Sequence, residues 1–296
     1  MFSLSKIPGA LILAVLAGSG AAWAQTFFGA YYNGPMGQAN LYTISPVNSS
    51  AALIGPMHAE TVSAMAFALD RTTLYAIGQT NSTGFALLRV SIATGAGTVV
   101  GPTGLFAPCQ DMDFRPSDGT LFAYCEGRIF TVALATGMST FLGDTGKFPN
   151  GNALAFSSSN ILYNANESTL DIINQSDGSV TSSIPLNYNP AFGGGARANA
   201  MKFHPNGTLY ASIVGSGQTG QKWSLGIINT STGVVTFVGA MVQGTDALAI
   251  GNAGLGPSAT PVPSSWLLVT IGILCAALYQ KMRRGERPLG PVSRLR

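Results

Sequence analysis

The sequence predicts an all-β protein whose body, residues 25–252, is a five-bladed β-propeller closed by pairing of its N- and C-terminal strands. Three observations predict this fold. A unit of about 40–50 residues recurs along the body. Its apolar segments are short, rich in β-branched and aromatic residues, and separated by glycine-containing turns. The two ends of the body read as complementary parts of one unit, and one C-terminal transmembrane or sorting helix is predicted to follow.

The N-terminal segment 1–24 has the layout of a secretory signal peptide. Lys6 precedes an apolar run from Ala10 to Leu16, and Ala22-Trp23-Ala24 supplies the small residues of a cleavage site. We therefore expect export through the inner membrane, with cleavage before Gln25. A retained membrane anchor is the alternative, but the apolar run is short for a spanning helix.

The first half of the repeated unit is an apolar triplet that ends in Phe, then a turn and a Leu-Tyr or Leu-Phe pair. The Phe residues are 47, 42 and 47 positions apart, at Phe67, Phe114, Phe156 and Phe203. The second half is a strand, a turn ending in Gly, and a Val-Gly or Leu-Gly stop. Its turns are Thr94-Gly95, Thr136-Gly137, Asp177-Gly178 and Thr232-Gly233. Helical repeats share this period, but these segments are too short and too rich in Gly, Thr and Val for helices.

The ends of the body predict how the ring closes. The body starts in the middle of a unit, around Phe27 and Leu41, and finishes on Asp246–Ile250, an innermost strand with no partner after it. Pairing of this last strand with the N-terminal strand builds a fifth blade and removes exposed sheet edges.

The propeller channel offers a candidate ligand site. The residue four positions before each Phe, and its counterpart in the closing blade, is polar: Ser63, Gln110, Asn152, Asn199 and Asp246. If the triplet strands are innermost, these side chains form a ring at the channel mouth. Oxygen atoms of this kind hold a hard cation such as calcium or a polar ligand, although no cofactor is predicted outright. The alternative is that they satisfy backbone groups at the strand ends.

Other residues suited to chemistry are scattered. Asp113 either pairs with Lys202 across the axis or faces water, and Asp111 adds a further carboxylate. His58 and His204 fall in a loop and in a hairpin turn, respectively. No nucleophile elbow, zinc-binding HExxH motif or phosphate-binding glycine loop occurs, so no catalytic residue is assigned and an enzymatic activity is the less favoured reading.

Two of the three cysteines form a candidate disulfide. Cys109 and Cys125 flank the hairpin turn at Pro116–Gly119, and counting back from the turn places them nearly opposite each other. An oxidising compartment favours a disulfide here, while free buried thiols are the alternative. Cys275 falls in the predicted membrane segment and cannot reach them.

The C-terminal region is predicted to be a membrane-sorting device. Residues 253–265 are a Pro/Ser/Gly linker, residues 266–280 an uncharged apolar helix, and residues 281–296 a basic cytoplasmic tail. The apolar helix is short compared with the roughly 17–25 residues of most spanning helices. A buried helix of a globular domain is the alternative.

This C-terminus resembles the PEP-CTERM class of bacterial sorting signals. The resemblance rests on a proline pair, a tryptophan before the apolar span and a basic cluster after it: Pro261, Pro263, Trp266, Lys281, Arg283 and Arg284. Val262 stands where the class has Glu, and residues 285–296 extend beyond the usual end. The resemblance implies processing by an exosortase-like enzyme at the inner membrane and association with the envelope and extracellular polysaccharide.

The charge of the chain is divided between body and tail. The whole chain is +3, but the tail holds six basic residues and one acidic residue. Without the tail and Lys6, eight basic and eleven acidic residues remain, a net charge of −3. The net positive charge thus belongs to the anchor, and nucleic acid is not an expected partner.

Three functional hypotheses follow. The leading one is an exported, envelope-sorted, non-enzymatic propeller that acts at the periplasmic side or cell surface as an interaction module, anchored at least transiently by its C-terminus. Its partners would be extracellular polysaccharide or surface proteins. The second is a metal-dependent, lactonase-like hydrolase with its site at the channel. The third is a carbohydrate-binding module whose aromatic residues stack on sugars, with blade packing as the alternative role: Tyr31, Tyr32, Tyr188 and Trp223.

Overall fold

A computed structural model of the chain describes residues 25–31, 38–147, 151, 153–217 and 220–252. These residues form strands, with one 3-10 helix at Pro190–Phe192. The strands are β1 (Gln25–Tyr31), β2 (Asn40–Ile44), β3 (Ala51–Pro56), β4 (Thr61–Phe67), β5 (Leu74–Thr80), β6 (Gly84–Val90), β7 (Gly97–Pro102), β8 (Asp111–Phe114), β9 (Leu121–Cys125), β10 (Arg128–Val132), β11 (Ser139–Asp144), β12 (Ala153–Phe156), β13 (Leu162–Ala165), β14 (Thr169–Ile173), β15 (Val180–Pro185), β16 (Asn187–Tyr188), β17 (Gly194–Phe203), β18 (Leu209–Gly217), β19 (Gly220–Ile228), β20 (Val234–Ala240) and β21 (Thr245–Asn252).

The predicted signal peptide, linker, sorting helix and tail all lie outside the described residues. Within the part of the chain that is described, no helix has the length and apolar character needed to cross a membrane.

The strands assemble into the predicted five-bladed propeller. Each blade is an antiparallel sheet, and the strand orders are β21-β1-β2-β3 (blade 1), β4-β5-β6-β7 (blade 2), β8-β9-β10-β11 (blade 3), β12-β13-β14-β15 (blade 4) and β17-β18-β19-β20 (blade 5). The predicted closure is confirmed, because β21 pairs with β1 in a register that sets Phe27 opposite Ile250. The first strand of each blade, or β21 in blade 1, is innermost and contacts its neighbours around the axis.

Blade 5 departs from the repeated unit. The two-residue strand β16 pairs in parallel with β20, so this sheet has five strands instead of the predicted four. Its inner strands are also longer, with ten residues in β17 and nine in β18.

An aromatic contact bridges each pair of adjacent blades and explains the first half of the repeated unit. The aromatic residue of the second strand packs against the Phe that ends the next innermost strand, with ring centroids 5.2–5.8 Å apart: Phe28 with Phe67, Tyr75 with Phe114, Phe122 with Phe156, and Tyr163 with Phe203. Ile250 replaces Phe in blade 1, and Tyr210 packs on Phe27 instead, at 4.7 Å. Such pairs stabilise beyond the area they bury, by about 0.5–1.5 kcal/mol each.

A glycine contact between neighbouring blades explains the second half of the unit. The glycine that stops each outer strand packs directly on the hairpin turn of the next blade: Gly55 on Thr94-Gly95, Gly101 on Thr136-Gly137, and Gly143 on Asp177-Gly178. At the blade 4–5 boundary the backbone of Pro185 meets Gly233, and at the last boundary Gly239 meets Asn48 and Ser49. The turn glycines have positive φ, and Ser49 adopts φ 62° in their place.

Candidate functional site

We call the end of the axis where the innermost strands begin the upper face, and the end where they finish the lower face. Charged side chains lie along the axis between these faces. Asp111 is fully buried and joins three blades. Its Oδ2 accepts hydrogen bonds from the backbone N–H groups of Leu154 (2.8 Å) and Met201 (3.0 Å), and its Oδ1 accepts one from Lys202 Nζ at 2.7 Å.

Lys202 is almost fully buried, with 4% exposure. Its ammonium donates to Asp111, to the carbonyl oxygen of Leu154 (3.2 Å) and to that of Met201 (2.8 Å), so three acceptors use its three protons. Burial raises the pKa of Asp111 to about 7, while Lys202 and the backbone N–H groups act in the opposite direction. This pair holds blades 3, 4 and 5 together at the axis.

Asp113 is not the hydrogen-bonded partner of Lys202, a pairing that was one of the two alternatives left open by the sequence. Its Oδ1 accepts from the N–H of Phe114 (3.0 Å) and its Oδ2 from that of Phe156 (2.7 Å). Burial raises its pKa, and the charge of Lys202 lowers it. Asp113 is half-buried and faces the lower end of the axis, where it lines a pocket.

Three members of the predicted polar ring occupy β-bulges of the innermost strands. The register of strand pairing shifts at Ser63, at Asn199 and at Asp246, and a bulge re-aims the side chain it carries. Ser63 Oγ donates to the carbonyl oxygen of Cys109 at 2.6 Å, and Asn199 Nδ2 donates to Asp246 Oδ1 at 2.6 Å. Each of these bonds links one blade to the next at the upper face.

Gln110, a fourth member of the ring, makes hydrogen bonds to nearby backbone groups. Gln110 Nε2 donates to the carbonyl of Pro108, and its Oε1 accepts from the N–H of Glu126. Asn152 lies outside the described residues. Burial raises the pKa of Asp246 to about 6, against the hydrogen bond from Asn199, so this carboxyl group titrates closer to neutrality than an ordinary Asp.

A pocket of about 350 Å³ opens at the lower face, and we call it the lower pocket. The residues that end the innermost strands form its walls: Phe67, Phe114, Phe156, Phe203 and Ile250. Asp113 and Lys202 lie at its inner end, and the turns after the innermost strands contribute Arg71, Ser157, Ser158 and His204 to its rim.

Sequence reasoning did not identify the lower pocket. Its signal was nevertheless present, because the four Phe residues that set the repeat spacing are the same ones that line it. His204, assigned to a hairpin turn, does lie in the turn between β17 and β18, and it reaches this pocket from there.

The two cysteines, Tyr188 and Trp223 take structural positions. Cys109 and Cys125 are joined as a disulfide at the upper face of blade 3. The Tyr188 hydroxyl donates to the carbonyl of Asn166 (3.1 Å) and accepts from Ala198 N–H (3.2 Å), and Trp223 is half-buried against an interblade core. Tyr32 and the side chain of Tyr31 lie outside the described residues.

Across the described part of the chain, no three His, Cys, Asp or Glu side chains lie close enough together to hold a metal ion. His58 is exposed, and its φ of 56° suits a turn residue.

Comparison with known proteins gives similarity of fold alone. No family model matches the chain, and no curated protein matches it. Solved structures similar to it include a chain of the nidogen/laminin complex, with 12% identity, a TM-score of 0.49, and coverage of 77% of this chain and 98% of that one. Hydrazine synthase from Kuenenia stuttgartiensis has 13% identity, a TM-score of 0.39, and coverage of 64% and 57%. The assignment of five blades rests on the strand order of the chain itself.

Proposed function

We propose that this protein is an exported, envelope-sorted β-propeller that acts as a non-enzymatic interaction module at the cell surface or in the extracellular matrix. The signal-peptide pattern of residues 1–24 and the PEP-CTERM resemblance of residues 261–284 support the location. An exosortase-like enzyme at the inner membrane is the expected processing partner, and extracellular polysaccharide or surface proteins are the expected binding partners.

The observation that carries the binding role is the contrast between the axis and the lower pocket. Asp111 and Lys202 are saturated by hydrogen bonds that join blades. A general base must reach the proton it abstracts, and these groups reach a substrate only by breaking interblade links. The lower pocket has polar atoms with spare hydrogen-bonding capacity on a scaffold that those links hold rigid, which suits recognition.

A channel hydrolase remains the second candidate because of Asp246. A carboxyl group with a pKa of about 6 at a channel mouth is suited to general acid–base catalysis. This hypothesis requires turnover of lactones, phosphoesters or glycosides that is lost in Asp246→Asn. In its metal-dependent form it also requires a stoichiometric metal ion and a chelator-sensitive melting temperature.

Cosedimentation tests the binding role. Purified protein is mixed with washed extracellular matrix from the producing bacterium, and the bound fraction is measured as protein concentration rises. We expect saturable binding, no turnover of the three substrate classes, and no change of melting temperature on chelation. Failure to bind the matrix, or turnover dependent on Asp246, contradicts the proposal.

A further inference from the structure

The lower pocket carries an inference that rests on the proposed binding role and specifies its ligand. We propose that this pocket binds an uncharged saccharide. Four features of its lining support this class of ligand: a carboxylate with spare acceptor capacity, donor groups at the rim, a balance of charges, and apolar groups beside the polar ones.

Asp113 supplies the acceptor. Each of its oxygens accepts one backbone hydrogen bond, from Phe114 and from Phe156. A carboxylate has about four acceptor positions in all, so roughly half of its capacity stays open. Because Asp113 is half-buried and lines the pocket, the open positions are available to ligand hydroxyl groups that donate.

Arg71 and His204 supply donors at the rim. The Arg71 guanidinium makes one long hydrogen bond, Nη1 to Gln25 Oε1 at 3.4 Å, and otherwise has free N–H groups in a fixed planar array. The Arg71 carbonyl accepts from Asn252 N–H at 2.8 Å, which ties this residue to the closing strand. His204 Nδ1 accepts from Asn206 N–H at 3.3 Å, so its Nε2 is the nitrogen left to donate.

The charges of the site balance. Lys202 lines the pocket, but its ammonium is paired with Asp111 at 2.7 Å and has no donor left over. The remaining charged side chains in the lining are Asp113 and Arg71, one of each sign. A cationic ligand would face Arg71, and an anionic ligand would face Asp113, whereas an uncharged ligand with both donors and acceptors satisfies both.

The walls and the volume suit a sugar ring. Four Phe residues and Ile250 contribute to the lining of a space of about 350 Å³, within the range of roughly 300–1,000 Å³ typical of small-molecule sites. Sugars present apolar C–H surfaces beside hydroxyl groups that both donate and accept. The lining of the pocket offers polar and apolar groups side by side, which matches this combination.

Saturation-transfer NMR of the full-length protein tests the proposal. The probes are glucose, galactose, mannose, N-acetylglucosamine and their disaccharides, with choline and inorganic phosphate as charged comparisons. We expect at least one neutral sugar to bind, and binding to weaken at least tenfold in Arg71→Gln and in Ser158→Trp. The first variant removes the donor, and the second fills the rim at an exposed position. Arg89→Gln, an exposed arginine that does not line this pocket, is the matched control and should bind normally.

Three results would overturn the proposal: no neutral sugar binds, choline or phosphate binds in preference, or sugar binding persists in both pocket variants. The matrix experiment separates this failure from failure of the binding role. Matrix binding that survives without any sugar binding rejects only the saccharide assignment, whereas loss of matrix binding in the wild-type protein rejects the interaction module itself.

Discussion

Replacing Gly101 by Ala tests whether glycine contacts fix the spacing of the blades. A Cβ atom added at Gly101 would lie 3.0 Å from the carbonyl carbon of Thr136, and closer still to its carbonyl oxygen. Non-bonded carbon atoms attract best at about 3.5–4.0 Å. The contact with the carbonyl oxygen is the tighter one, so blades 2 and 3 must separate locally by about 1 Å. Backbone atoms cannot rotate away as a side chain would.

The expected cost combines two opposing effects. Overpacking of a close-packed interior costs about 1–3 kcal/mol, and the loss of glycine flexibility in the unfolded chain returns about 0.4–1 kcal/mol. Because the clash is with backbone, we expect Gly101→Ala to lower the free energy of unfolding by about 2 kcal/mol. At about 2–4 °C per kcal/mol for a domain of this size, the melting temperature should fall by about 4–8 °C.

Gly194→Ala is the matched control, because a Cβ atom added at Gly194 has no other atom within 4 Å. Gly101 and Gly194 both lack the positive φ that would disfavour Ala. Urea unfolding followed by circular dichroism, together with thermal melts, measures both variants. We expect Gly194→Ala to be unchanged or more stable by up to about 1 kcal/mol. If Gly101→Ala is as stable as Gly194→Ala, the blades are not spaced by these contacts and the reasoning fails.

Three further predictions concern charge and covalent links. Lys202→Met leaves Asp111 buried without its cation and should cost about 3–5 kcal/mol in urea unfolding. Asp246 has a folded pKa of about 6, above its ordinary 3.8, so the folded protein binds this proton more tightly. The protonated carboxyl group therefore stabilises the folded protein fully below about pH 4, and this stabilisation is lost as pH rises through 6. Over this pH range the free energy of unfolding should decline by up to about 3 kcal/mol less in Asp246→Asn than in the wild-type protein. Cys109→Ser with Cys125→Ser opens a link across 16 positions and should cost about 3 kcal/mol.

Each of these predictions has its own control. Arg128→Met breaks an exposed ion pair with Asp144 and should lower the free energy of unfolding by less than about 1 kcal/mol. A decrease as large as that in Lys202→Met would contradict the argument that the buried pair of Asp111 and Lys202 is the more important one. Parallel pH slopes for the wild-type protein and Asp246→Asn would contradict the titration argument. The disulfide prediction requires that reductant destabilise the wild-type protein and leave the double Cys109→Ser/Cys125→Ser variant unchanged.

The blade count and the closure could be predicted because their causes are local. Short strands, Gly-containing turns and the Phe spacing appear as patterns within single units, and closure needed only the observation that Asp246–Ile250 lacks a partner. The contacts between blades that these residues make could not be predicted from the sequence. Gly101 meets Thr136 from the next blade, and no pattern within one unit records such a contact.

The choice between Asp111 and Asp113 shows where sequence reasoning stops. The two residues are two positions apart on β8, so strand alternation places both on the same side of the sheet. Lys202 bonds to Asp111, and which of the two carboxylates it meets depends on how blades 3 and 5 are placed relative to each other. For the same reason the bulges at Ser63, Asn199 and Asp246 were not predicted, although their polar side chains were noticed.

Closure by the last strand has a consequence for when the protein can fold. Gln25, at the start of β1, pairs with Asn252, at the end of β21, so β1 can meet this partner only after nearly the whole body has been synthesised. Contacts between such distant residues form slowly, and until β21 arrives the β1 edge of the sheet β1–β3 stays open to aggregation. A chain that ended before Thr245 would keep the β1 edge exposed permanently, whereas cleavage after Asn252 would leave all five blades complete.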